Sequence, residues 1–425
     1  MDASAHRAFA LLKSLAYERV SCSEAEKNAA NRLLEEARAA GAQAHLEPFS
    51  VPCGRVRRAK LAVTEPYYKE YFATGYERAA STPPEGLDAE FFYAEDVLPA
   101  HLAQAKGKIA LINGRLRRGD YEKLQKAGVA AILTFSGTLL DRESETDCDI
   151  RKLRETLTEP FGFAVALNLR AADAAEIVRR GAKTMHIELE SECYEGESQN
   201  VCARIPGTDR AGEIVSFGAH YDSVYFSTGV YDNMAGSVIL MELLRHFAAH
   251  PPRRTLLFNW YGSEEQGLLG SKAYVAAHEE ELKDHVLMIN LDVAAPTLGQ
   301  NSAPVLGTEA TVGYVDALMK ELGIACKTTL DIYSSDCIPF ADKGVPAVNL
   351  CRFGAPGANF IHDRRDSLKS RYIDERSLGI TLQQALHLAE RVANASVFPI
   401  ERKISKEIRE KVDKYLFKKP ENEAE

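Results

Sequence analysis

His220, Asp232, Glu265, Asp292 and His362 supply two imidazoles and three carboxylates, and Glu264 stands directly beside Glu265. This donor set suits two zinc ions that share one carboxylate and one water, and it admits Mn or Co in their place. Two Zn²⁺ bring four positive charges, which three carboxylates and one hydroxide offset. That neutral total is what lets a site hold hydroxide near neutral pH. Glu264, beside a ligand, is placed to be the proton shuttle of a hydrolytic reaction.

These residues need a frame, and from Asn200 onward the sequence reads as alternating strands and helices. Apolar runs at 214–219, 255–261, 285–291 and 347–351 are strands, and the stretches 234–247, 268–277, 311–322 and 374–395 are helices. Such alternation predicts an α/β fold, a three-layer sandwich with a mostly parallel central sheet. Open parallel sheets bind ligands beyond the carboxyl ends of their strands. His220, the Glu264-Glu265 pair and Asp292 each fall at such an end. A single Asp or Glu there is ordinarily solvated or a helix cap, and adjacent glutamates are common at helix starts. The strings Gly218-Ala-His220-Tyr-Asp222-Ser, Tyr231-Asp232-Asn-Met-Ala-Gly236 and Gly262-Ser-Glu264-Glu265-Gln-Gly267 are together far more specific than that. His246, His250, His278 and His285 have no carboxylate partners in pattern and read as structural or solvated.

With these strings in view, the chain resembles the co-catalytic dizinc exopeptidases, the family of aminopeptidase Y, bacterial leucyl aminopeptidase and glutamate carboxypeptidase. The resemblance covers about residues 200–395 and, more loosely, 1–52. It implies that His220 and Asp292 hold one Zn, that Glu265 and His362 hold the other, and that Asp232 bridges them across a cis Asp232–Asn233 peptide. It further implies that Glu264 is the general acid/base and that Asp222 orients the His220 imidazole. His362 sits in Phe360-Ile-His362-Asp-Arg-Arg-Asp366, which resembles the family's final His followed four residues later by Asp. Two departures stand out. Cys337 occupies the place of the His in Ser-Asp-His, so it is expected near the site without binding metal, either as a reactive thiol or as a small packing residue. Ile361 stands where some members have a Tyr that polarises the substrate carbonyl, which leaves Tyr333 as a substitute. The stretches 107–115 and 121–133 resemble the protease-associated domain inserted in many of these enzymes.

The implied activity is that of a zinc-dependent exopeptidase, an aminopeptidase acting on peptide substrates. A carboxypeptidase or glutaminyl cyclase on the same fold and a non-catalytic receptor-like member stay open as alternatives. A one-zinc cyclase would lack the Asp232-Asn-Met-Ala-Gly236 bridge, and a receptor-like member would have lost ligands.

The remaining sequence sets the boundaries. A chain of 425 residues exceeds one compact core. Residues 1–52 and 197–398 are expected to form the catalytic domain, 53–196 an inserted β-rich protease-associated-like domain, and 399–425 a C-terminal helix and tail. Ser23-x-x-Glu26 reads as a capping box that opens a helix over 23–40. Ile404, Ile408, Val412 and Leu416 form a stripe at i, i+4 spacing that is expected to pack on its own domain or, in a homo-oligomer, on a second subunit. The last eight residues read as disordered. A net charge of −9 disfavours nucleic acid, and the basic run 55–60 reads as a solvated edge. No stretch has the ~18 apolar residues of a membrane span, and the N-terminus lacks the pattern of a signal peptide. Eight scattered cysteines without a CxxC pair point to reduced thiols and a cytoplasmic location.

Overall fold

A computed structural model describes residues 3–141, 148 and 150–418, so the expected disorder of the tail falls almost wholly outside the described residues. The chain divides into two compact units, Met1–Val51 with Glu197–Glu425 and Pro52–Gly196.

The first unit is built on a mixed sheet. Strands Ala347–Gly354, His285–Leu291, Arg210–His220 and Arg254–Tyr261 are neighbours in that order and parallel. Gly299–Leu306 joins Ala347–Gly354 antiparallel and carries Lys327–Leu330 beyond it, while residues 201–205 pair antiparallel with Arg254–Tyr261 at the other side. The strand Arg210–His220 comes first in the chain among the four parallel ones yet lies inside the sheet. The chain winds away from it in both directions, so the opening between Arg210–His220 and His285–Leu291 is the topological switch point where such sheets bind ligands.

Period-two alternation buries both faces. Val215, Phe217 and Ala219, with Leu287, Ile289, Leu291, Phe258 and Trp260, face helices Ala3–Ser14, Glu24–Ala39, Ala235–Ala249 and Glu375–Asn394. Met288, Tyr261 and Ala347 face Leu269–Ala277, Cys337–Asp342 and Lys406–Tyr415. Trp260 is fully buried, and its indole N–H donates to the Ser237 carbonyl at 2.9 Å. The C-terminal stripe is covered by its own unit. Ile408 and Val412 are buried in the cluster that contains Ile338 and Phe340, and the helix packs on Cys337–Asp342. That packing removes the reason for expecting a second subunit on this stripe.

Two strands escape the sequence pattern. Gly299–Leu306 contains Pro304, which reads as a strand breaker, and the ladder to Ala347–Gly354 skips residues 303 and 304. Lys327–Leu330 is short and has no fully buried residue, so it lacks an apolar signal.

The second unit is rich in strands and orders four of them in parallel. Leu87–Glu95, Ile109–Ile112, Ala131–Ser136 and Ala166–Arg170 are parallel in chain order. Helices Arg118–Ala127, Glu155–Phe161 and Ala171–Arg179 lie between or after them, so strand–helix alternation continues through this region. These helices are short, with 10, 7 and 9 residues. Antiparallel Ala73–Gly75 flanks Ala166–Arg170, and residues 184–187 flank Leu87–Glu95.

His285 opens its strand wholly buried, with Nδ1 2.8 Å from Ser216 Oγ. Burial pushes its pKa down from 6.5 to about 4, with Glu281 opposing and the Arg402 guanidinium reinforcing. The unfolded chain therefore takes up a proton near pH 6.5 that the folded chain refuses until about pH 4. The stability contributed by neutral His285 is complete above 6.5 and is lost as pH falls to about 4, by up to roughly 3 kcal/mol. Unfolding midpoints measured from pH 7 to 4 are expected to fall less steeply in His285→Asn than in the wild type. Equal slopes would remove His285 from the acid response.

Candidate metal centre

The site is assembled from the carboxyl ends of the four parallel strands. His220 is the last residue of Arg210–His220, and Asp292 follows His285–Leu291 directly. Glu264 and Glu265 lie in the single turn Glu264–Gln266 beyond Arg254–Tyr261, and His362 lies in the loop after Ala347–Gly354. Asp232 comes from the irregular turn Val230–Met234 that feeds helix Ala235–Ala249, and the Asp232–Asn233 peptide is cis. Asn233 fastens that turn to the sheet by donating from Nδ2 to the Leu291 carbonyl at 2.7 Å.

Asp232 divides its two oxygens between the imidazoles. Oδ1 lies 3.1 Å from His220 Nε2, and Oδ2 lies 3.3 Å from His362 Nε2. His220 Nε2 is also 3.4 Å from Asp292 Oδ1, and His362 Nε2 is 2.9 Å from Glu265 Oε2. The side chains thus form two sets that share one member. Ligand atoms of His220, Asp232 and Asp292 lie within 4.8 Å of one another, as do those of Asp232, Glu265 and His362. All five candidate ligands meet, and Glu264 lies beside them without entering either set.

Two further carboxylates hold the turns that present these ligands. Asp222 Oδ1 accepts from Glu264 N at 3.0 Å and lies 3.3 Å from His220 Nδ1, and Oδ2 accepts from Glu265 N at 3.1 Å. Asp222 therefore stands beside the imidazole and also pins the glutamate turn, a second task that its position in the sequence does not disclose. Asp366 does the same for the other turn. It accepts from Tyr231 N at 2.8 Å, from Asp232 N at 3.0 Å and from the Tyr372 hydroxyl at 2.7 Å. Its place four residues after His362 was the available signal, but nothing there shows that it serves Asp232. Asp336 went unread as well. It is fully buried in the charged field of His220, Asp292 and Asp222, and burial pushes its pKa up to about 7.

The electrostatics are those of an acid-rich pocket. Burial, then the Glu265, Asp336 and Asp292 charges, push the Glu264 carboxyl well above its ordinary range, with His220 opposing. Burial works on Asp232 in the same sense, but His220 and His362 outweigh it and hold that carboxyl low. Burial disfavours charge on His220, yet Glu264 and the carboxylates at Asp222, Asp232 and Asp292 raise it well above 6.5; Glu265 does so for His362. Asp292 Oδ1 is buried without a hydrogen bond. Mutually repelling buried carboxylates, two imidazoles aimed at them and an unsatisfied oxygen fit two divalent cations, and Zn best by donor type.

Cys337 settles as a packing residue. It is fully buried among Met288, Ile338 and Phe340, its Sγ 3.9 Å from Met288 Sδ, and burial pushes the thiol far above its ordinary pKa. Thiolate chemistry is therefore suppressed, and the reactive alternative is withdrawn. Tyr333 packs edge-on against Phe353 at 5.3 Å. Burial, then the Asp292 and Asp232 charges, keep its hydroxyl protonated.

The sequence pattern of peptidase family M28 matches residues 200–389. Aminopeptidase YwaD of Bacillus subtilis is 27% identical over 284 residues, 64% of this chain and 59% of that protein. Carboxypeptidase Q of Xenopus laevis is 24% identical over 334 residues, covering 72% of this chain and 68% of that one. The vacuolar membrane protease of Eremothecium gossypii is 33% identical over 136 residues, but the match spans 32% of this chain and only 12% of that protein. Among solved structures, a zinc aminopeptidase from Bacillus subtilis, BSAP, superposes with a TM-score of 0.77 at 23% identity over 95% of this chain and 98% of that one. The aminopeptidase from Aneurinibacillus sp. strain AM-1 gives 0.72 at 22% identity over 93% and 96%. These two share the fold. Residues 200–389 thus carry the pattern of peptidase family M28, and the fold is that of the solved aminopeptidases.

Proposed function

We propose that this protein is a dizinc aminopeptidase that removes N-terminal residues from peptides. The observation that carries the reading is the division of Asp232 between two ligand sets, each completed by one imidazole and one further carboxylate. His220 and Asp292 would hold one ion, Glu265 and His362 the other, with Asp232 shared. A single-metal cyclase has no use for that shared carboxylate, and a receptor-like member has no use for Glu264. Two bound divalent ions supply Lewis-acid chemistry: they polarise the scissile carbonyl and acidify a water. Glu264, half-buried beside the candidate ligands and held by Asp222 through its backbone N–H, would take a proton from the attacking water and deliver it to the leaving amine. Tyr333 offers a protonated hydroxyl in the place of the Tyr that position 361 lacks.

The relatives support the aminopeptidase direction, and carboxypeptidase Q keeps the opposite direction as the second reading. The inserted residues 52–196 are proposed to act as a protease-associated-type cap. The setting is proposed to be cytoplasmic, supported by the absence of disulfides among the described residues. No helix among the described residues is long and apolar enough to cross a membrane.

Two experiments test the reading. Hydrolysis of one peptide series with free and with acetylated N-termini separates the directions. An aminopeptidase cleaves only the free series, loses activity on exhaustive chelation and regains it with Zn²⁺, with little change in secondary structure because the sheet core does not contain the ligands. Cleavage of the blocked series from the C-terminus would turn the assignment to a carboxypeptidase, and full activity after chelation would remove the metal altogether. In the second experiment, Glu264→Gln should lower kcat by roughly 10²–10⁴-fold with zinc content kept, whereas Glu265→Gln should lose zinc. The reverse pattern would exchange the two roles.

A further inference from the structure

The M28 pattern begins at residue 200, yet the structure brings a segment from the first helices to the back of the metal centre. Ser23 caps Glu24–Ala39 by accepting from Glu26 N at 3.1 Å. The Glu26 carboxylate does not close the expected capping box on Ser23. Its Oε2 accepts from Cys22 N at 2.7 Å, and its Oε1 accepts from Ser198 Oγ at 2.8 Å and from Ser263 N at 3.1 Å. Glu26 is 1% exposed, and these partners include no cation. Ser263 immediately precedes Glu264 and Glu265, whose own N–H groups are held by Asp222. Three consecutive amides of the glutamate turn are thus fastened by two buried carboxylates. Gly262 makes the approach feasible: a Cβ there would stand 2.5 Å from Ser198 Oγ and 3.0 Å from Glu26 Oε1.

Arg19 works on the opposite flank. It is wholly buried, and its guanidinium donates only to carbonyls. Nε reaches Tyr221 O at 2.6 Å, Nη1 reaches Leu15 O at 2.8 Å, Tyr17 O at 2.5 Å and Thr228 O at 2.7 Å, and Nη2 reaches Gly229 O at 3.1 Å. Its backbone exchanges bonds with Ser223, N to Oγ at 2.9 Å and O from N at 3.1 Å. Residues 221 and 223 bracket Asp222, and residues 228 and 229 lead into the Asp232 turn. Gly229 has φ +53, and a Cβ on it would meet Arg19 Nη2 at 2.9 Å and Asp232 O at 2.7 Å. The guanidinium contacts carbonyls rather than carboxylates, and Asp222, Asp366 and Asp232 only partly offset the cost of burying its charge, so a role in ordering the turns accounts for its presence better than stability does.

We propose that the segment Arg19–Glu26 is an internal frame for the metal centre: Arg19 sets the turns that carry Asp222 and Asp232, and Glu26 sets the turn that carries Glu264 and Glu265. Both act as positioning residues, and the proposal rests on the metallopeptidase reading above.

The test compares wild type, Arg19→Lys and Glu26→Gln with Arg254→Lys. Arg254 is as buried as Arg19 and donates to Val392 O, Ala395 O and Glu213, at the opposite end of its strand from the glutamate turn. Thermal midpoint, zinc retained against a competing chelator, kcat and KM are measured for each full-length chain. Lysine keeps the charge but has a single nitrogen, which cannot span these carbonyls. Arg19→Lys is expected to weaken zinc retention about 10–100-fold, and Glu26→Gln to lower kcat about 10-fold with KM and zinc nearly kept. Arg254→Lys should lower the midpoint alone. If both frame variants behave like Arg254→Lys, the proposal is overturned. If Arg19→Lys does not fold, Glu26→Gln and Ser198→Ala decide, and unchanged kcat in both overturns it. A wild-type chain that retains no zinc overturns the metallopeptidase reading and this proposal with it; zinc-replete wild type with unaffected variants overturns the proposal alone.

Discussion

Asp232 must face two imidazoles at once, and much of the first unit is arranged to make that geometry available. A carboxylate can divide its oxygens between two ligand sets only if its backbone is held independently of the groups it serves. Asp366 takes the amides of Tyr231 and Asp232, Asn233 ties the turn to the sheet, and Gly229 lets Arg19 approach from behind. None of these contacts places a side-chain donor on an Asp232 oxygen. The turn is fixed by its main chain, and its side chain is left to the centre.

The glutamate turn follows the same logic. Asp222 and Glu26 hold the N–H groups of Ser263, Glu264 and Glu265, so the two carboxyls point forward from an anchored backbone. Such anchoring concentrates carboxyl groups: Asp222, Glu26, Asp336 and Asp366 are all buried near the candidate ligands. Burial raises the pKa of Glu26 to about 8 and those of Asp336 and Asp366 to about 7. Arg19 is a buried cation whose charge Asp222, Asp366 and Asp232 favour. Divalent ions would complete the balance, which is why this pocket reads as a candidate metal centre from charge as well as from geometry.

The sheet and the ligands were legible because their signals are local. Apolar runs ending in His220, Asp292 or the Glu264-Glu265 pair announce both a strand and the chemistry at its end, and the observed strand His285–Leu291 has the limits its apolar run predicts. What escaped depends on partners distant in the chain. Glu26 reads as a capping-box residue because its nearest sequence neighbours satisfy that pattern, while its carboxylate serves Ser198 and Ser263. Arg19 gives no signal at all, since backbone carbonyls leave no trace in residue identity. Pro304 hid one strand.

Trp260 is the one tryptophan of the chain. Its indole hangs from the Ser237 carbonyl, and the Ser237 hydroxyl donates in turn to the carbonyl of His220 at 2.7 Å. The protein therefore carries a single strong fluorophore, shielded from water and two hydrogen bonds removed from the candidate ligand His220. Its emission colour and lifetime report on the packing beneath helix Ala235–Ala249 with no second indole to blur them, so this chain comes with its own optical gauge of order at the centre.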